Sequence, residues 1–156
     1  MRKYRLLAPI GFGLLTLAAC APHPENAALA TVPVLQPDMA RVWVLRQENV
    51  EAPNAATADP IVYANGASLG QMAQGTVFYH DVRPGTYRFT VQAYGTPAHL
   101  GDTLQLGPRT TAFVVVQAVP NWEMGSTAGG ASFDVLTMVP YDARVTIPTL
   151  TFIGQR

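Results

Sequence analysis

The chain has 156 residues, enough to bury one sizeable core and too few for two ordinary domains. A hydrophobic fraction of 49% against 13% charged residues excludes wholesale disorder, and 13 glycines with 13 prolines interrupt the chain too often for long helices. Ten basic residues balance ten acidic ones, but Arg2, Lys3 and Arg5 all precede the single cysteine, Cys20. From Cys20 onward 7 basic residues (10 − 3) face 10 acidic ones with no cationic cluster, which argues against nucleic acid as a partner.

Residues 1–19 run from a basic start through an apolar stretch, Leu6 to Leu17, to small residues before the cysteine, the layout of an export signal. The apolar stretch is shorter than the roughly 20 residues a membrane-spanning helix needs, and Pro9, Gly11 and Gly13 interrupt it. Leu17-Ala18-Ala19-Cys20 resembles the lipobox of bacterial lipoproteins. The resemblance implies cleavage between Ala19 and Cys20, a diacylglycerol on the thiol, and a further fatty chain such as palmitate on the new amino group. Each buried methylene contributes about 0.8 kcal/mol, so a multiply acylated terminus stays in the bilayer. An ordinary secretory signal followed by an incidental cysteine is the alternative. Against it, Cys20 has no second cysteine to pair with, and acylation removes a thiol that would otherwise be exposed to oxidation. Ala21, in place of Asp, matches the pattern that permits transfer to the outer membrane in many Gram-negative lipoproteins. The expected location is therefore the cell envelope, on the outer membrane facing the periplasm.

Residues 20–38 form an expected Ala/Pro-rich tether in which His23 and Glu25 are solvated, and residues 39–156 form the folded domain. Arg41-Val42-Trp43-Val44-Leu45-Arg46 is an apolar run bounded by arginines and predicts a buried strand. Ile61 to Ala64 and Ala67 to Gly70 flank Asn65-Gly66, which predicts a type I′ hairpin. Thr76 to Val82 predicts a strand with Val77 and Tyr79 on one face and Phe78 and His80 on the other. Arg83-Pro84-Gly85-Thr86 then predicts a type II turn into a second hairpin, whose return strand alternates Tyr87, Phe89, Val91 and Ala93 with Arg88, Thr90 and Gln92. Gly95 to Gly101 reads as a loop, Asp102 to Leu106 as a short strand, and Thr110 to Val119 as a strand covered on both faces. Asn121 to Gly130 is a Gly-rich loop, and Ala131 to Val139 with Thr146 to Ile153 form an expected closing pair. Strands at this spacing predict an all-β fold: an immunoglobulin-like or prealbumin-like antiparallel sandwich of about seven to nine strands, with an open barrel as the alternative.

From Ala40 to Val119 the chain resembles a family of small bacterial lipoproteins whose domain has no established function. The likeness rests on Ala40-Arg41-Val42-Trp43-Val44, on Val62-Tyr63-Ala64-Asn65-Gly66 with Leu69-Gly70, on Gly75, Phe78 and Tyr79, and on Asp81-Val82-Arg83-Pro84-Gly85-Thr86-Tyr87. Similar patterns occur in other prealbumin-like, PEGA-like and surface-layer sandwich domains. The resemblance implies the sandwich and brings no catalytic or binding residues with it.

Sites are sparse. His80 and Asp81 are adjacent, but strand neighbours face opposite sides, so the expected arrangement is a pair satisfied by separate hydrogen bonds. His99 lies in a loop with Asp102 the only acidic residue near it in sequence. No Gly-x-Ser-x-Gly or phosphate-cradling loop occurs, and the three histidines are scattered, so no metal and no cofactor is expected. Trp122, with Asn121 and Met124, forms a candidate partner-binding loop, set against the reading that Trp122 caps one end of the sandwich. Expected partners are the bilayer, through Cys20, and another envelope protein. The functional expectation is a non-catalytic binding or structural lipoprotein. Its alternatives are a docking subunit of a secretion or transport complex, and an envelope hydrolase using His80 or His99 with Asp81 or Asp102.

Overall fold

The computed structural model describes residues 29–48, 58–92, 101–120 and 131–156. Among the described residues there are nine strands: β1 Ala40–Arg46, β2 Ile61–Ala64, β3 Ala67–Gln71, β4 Thr76–Val82, β5 Gly85–Val91, β6 Gly101–Leu106, β7 Thr111–Pro120, β8 Ala131–Thr137 and β9 Thr151–Gln155. They form two sheets, one of five strands in the order β8-β7-β1-β4-β9 and one of four in the order β3-β2-β5-β6. The fold is an all-β sandwich.

Side-chain alternation explains why the sheets stack. In β1, β4 and β7 the residues Val42, Val44, Phe78, Val114 and Val116 point inward, to meet Val62, Leu69, Phe89, Val91 and Leu106 of the four-stranded sheet. Residues one place out of phase point the other way: Leu45, Val77 and Phe113 belong to a second cluster on the outer face of the five-stranded sheet. Strands buried on both faces read as continuous apolar runs, which is why β1 and the Ala-Phe-Val-Val-Val segment of β7 were legible as such.

The Asn65-Gly66 hairpin forms with positive φ at both residues, 49° and 81°, as a type I′ turn requires. The Asn65 side chain ties it to the next strand, donating from Nδ2 to the Thr86 carbonyl (3.1 Å) and accepting from the Arg88 amide at Oδ1 (2.8 Å). Pairing is antiparallel throughout, except that β1 runs parallel to β7 and β4 parallel to β9.

Two sequence expectations are corrected. The Arg83–Thr86 segment is not a hairpin turn: β4 pairs with β1 and β9 in one sheet and β5 with β2 and β6 in the other, so the chain arches between layers. Gly85 lacks the positive φ that a type II turn would need there. The closing pair does not form either, because β8 and β9 occupy opposite edges of the five-stranded sheet. Between them lies a helix, α1 (Pro140–Thr146), and a 3-10 turn (Ile147–Thr149), which cross the outer face and bury Ala143 and Ile147 against it. Pro140 at the start, Asp142 in the first turn and Arg144 in the last suit a helix this short. Within the stretch expected as a tether, Leu29 packs into the same outer cluster and the Pro33 carbonyl accepts a hydrogen bond from Arg41 (2.9 Å), while most of the side chains from 30 to 38 are exposed. Apart from Gly101, the expected 95–101 loop lies outside the described residues, as does Ala93.

Candidate functional site

The outer face of the five-stranded sheet gathers the chemistry that the described residues offer. At one corner Arg41 projects from β1 beside Asp81, its register partner on β4. Nε donates to Oδ1 (2.7 Å) and Nη2 to Oδ2 (2.8 Å), a bidentate fork that only a planar guanidinium makes. The hydrogen bond to Asp81 holds the Arg41 pKa above the ordinary arginine value, against the opposing effect of burial. The same guanidinium lies 4.2 Å from the centre of the Tyr79 ring. Tyr79 in turn packs with Trp43 and Phe152, ring centroids 5.3 to 6.0 Å apart, and donates from its hydroxyl to Gln155 Oε1 (3.2 Å).

Beyond this corner α1 shields Leu45, Val77 and Phe113. Its outward side carries two large apolar side chains beside the exposed Asp142 and Arg144. Tyr141 and Val145 stand one turn apart on the helix, opposite the buried Ala143 and Ile147, and are 77% and 61% exposed. Val139, just before the helix, and Leu136, whose register partner Val115 belongs to the outer cluster, add 58% and 43% exposed side chains. The opposite layer contrasts with this. The outer face of the four-stranded sheet presents Arg88, Thr103 and Gln105 to solvent beside half-buried Ile61, Tyr63 and Thr90, and none of the fully exposed large apolar side chains lies on it.

The sequence-predicted candidates are not brought together. His80 hydrogen-bonds through Nδ1 to the main-chain oxygen of Arg156, while Asp81, facing the other way, is engaged by Arg41. Asp102 accepts from both the hydroxyl and the amide of Thr137, joining β6 to β8 where the two sheets meet. The Thr137 hydrogen bond holds its pKa below the ordinary aspartate value. Cys20, Ala19, His23, Glu25, His99, Asn121, Trp122 and Met124 lie outside the described residues. Among the described residues no three His, Cys, Asp or Glu side chains converge, and no helix is long and apolar enough to cross a membrane. A cleft of about 410 Å³ opens at one end of the sheet between Gln47, Glu48, Gly75 and Thr149 to Thr151, with Glu48 the one titratable side chain lining it.

Sequence reading missed the Arg41–Asp81 fork and the exposed side of α1. The fork joins residues 40 apart, which no local pattern reports. The i, i+4 pair Tyr141 and Val145 was a readable signal, overshadowed by the strand-like composition around it. No protein-family model and no curated protein matches this chain.

Proposed function

We propose that the chain is the precursor of a bacterial envelope lipoprotein, held in its membrane by acyl chains on Cys20, whose sandwich binds or supports another envelope component without turning over a substrate. The observation that carries this reading is the order of basic start, apolar stretch and Leu17-Ala18-Ala19-Cys20, with Cys20 as the sole cysteine. The separate engagements of His80 and Asp81 support a binding role over a hydrolytic one, since a shared proton relay needs both groups on one side of the strand. The packing of Leu29 supports it too, because a fixed point of departure gives the tether a defined side from which to reach the membrane. The family resemblance of residues 40–119 and the outer-membrane location belong to the same proposal.

Expression of the full precursor in a Gram-negative host, followed by intact-mass analysis of the membrane fraction, tests it. The expected species begins at Cys20 and carries a diacylglycerol and an amide-linked acyl chain, and Cys20→Ser leaves the leader in place. A membrane-fraction protein with Cys20 bare, or wild-type protein with its leader retained, would overturn the reading.

A further inference from the structure

The side of the sandwich from which the tether leaves is also the side that exposes apolar residues. Leu29 sits in the cluster of Leu45, Val77, Phe113 and Ile147, so the chain enters the domain on the outer face of the five-stranded sheet, beside α1. Nine residue-to-residue steps separate Cys20 from Leu29. At no more than about 3.3–3.6 Å each, their span is at most about 32 Å. A folded unit of this size is roughly 35 Å across, taking its radius of gyration as about 14 Å. Turning the four-stranded sheet toward the bilayer would therefore draw the tether nearly straight around the molecule. The outer face of the five-stranded sheet meets the same bilayer with the chain relaxed, which conformational entropy favours.

That face is built for the contact. Tyr141 and Val145 point away from the sheet with the oppositely charged Asp142 and Arg144 between them in sequence, all exposed, and Leu136 and Val139 extend the apolar area toward β8. Tyrosine combines an apolar ring with a hydroxyl that suits the headgroup level of a bilayer, and arginine pairs with lipid phosphates. The far layer offers exposed Arg88, Thr103 and Gln105, which suit water.

We propose that the mature protein lies on its own membrane through the outer face of the five-stranded sheet, with Tyr141 and Val145 of α1 seated in the lipid headgroup region. This rests on the acylation of Cys20 proposed above, and adds to it a second point of attachment that fixes which way the domain faces. The β2–β3 hairpin and the four-stranded sheet are then turned toward the periplasmic space.

The test uses lipidated mature protein in vesicles of phosphatidylethanolamine and phosphatidylglycerol. Val145→Cys and Gln105→Cys each introduce one free thiol, because the acylated Cys20 cannot react, and both positions are exposed enough to take a fluorophore. With doxyl-labelled lipid in the vesicles, the expected result is loss of most of the emission at position 145 and little at position 105. Tyr141→Glu should restore emission at 145 while the protein still floats with the vesicles. Equal quenching at both positions, or stronger quenching at 105, overturns the orientation and leaves the anchor standing. Cross-linking between position-145 thiols without lipid quenching assigns the face to a second copy and overturns it as well. Protein that fails to float and carries a bare Cys20 overturns the anchor and the orientation together.

Discussion

Arg41 and Arg46, at the two ends of the apolar run in the first strand, are both buried. Arg46 is 2% exposed, donates from Nη1 to the Ala58 and Met72 carbonyls (2.9 and 2.6 Å), and lies over the Phe133 ring at 4.9 Å. It fastens the chain before β2 and the β3–β4 connection to the end of β1. Arg41 is held by Asp81, whose side chain is 17% exposed. Removing one member of such a pair leaves the other charge desolvated, which costs more than the pair itself contributes. Partial exposure reduces that penalty, so we expect Asp81→Asn to destabilise the domain by about 2 kcal/mol. Urea unfolding would measure it, and a loss below about 0.5 kcal/mol would mean that water already screens the pair.

At the scale of elements, glycine at the start of β6 decides how closely two strands approach. A Cβ on Gly101 would lie 2.4 Å from the Phe89 carbonyl oxygen and 2.8 Å from the Thr90 methyl, across the β5–β6 ladder in which Gly101 opposes Thr90. The nearest obstacle is backbone, so the strands must part. Gly101→Ala should cost about 1–3 kcal/mol and speed amide exchange in β5 and β6 ahead of β1 and β4. An unchanged exchange pattern would contradict the close approach. The same strands show what the sequence makes legible. Alternation in Tyr87, Phe89 and Val91, and the Asn65-Gly66 turn, are local signals, and both elements formed as expected. Pro84-Gly85 announces a change of direction but carries no information on whether the next strand stays in its sheet or crosses to the other. Parallel pairing of β1 with β7 is equally silent, since the partners lie some seventy positions apart. Helix α1 escaped because seven residues show only two turns of periodicity, and Ala143 and Ile147 alone mark the buried side. The candidate site inherits this limit: the proposed anchor rests on one short motif, whereas the exposed face of α1 needed the crossover of that helix to exist.

Across the whole molecule, the core between the layers belongs to neither sheet alone. The inner cluster draws Val42, Phe78 and Val114 from one sheet and Val62, Phe89 and Leu106 from the other, so separating the layers exposes both. The order of strands reinforces the dependence. β1 lies between β4 and β7, and the β2–β3 hairpin and the β5–β6 pair are inserted between these neighbours in sequence. No contiguous stretch can complete the five-stranded sheet before the four-stranded one has been made. Such pairing closes long loops before it is rewarded, which places folding in the slow range of milliseconds to seconds typical of β-sandwiches. Unfolding should accordingly be a single cooperative transition. For lipidated Trp122→Phe protein in mild detergent, far-ultraviolet circular dichroism follows the sheets, and fluorescence follows the partly buried Trp43 on the outer face. The two urea curves should share one midpoint. If fluorescence moved first, the outer layer of Leu29, α1 and Phe152 would be a separate unit resting on the sandwich, and the face we assign to the membrane would owe its shape to the lipid.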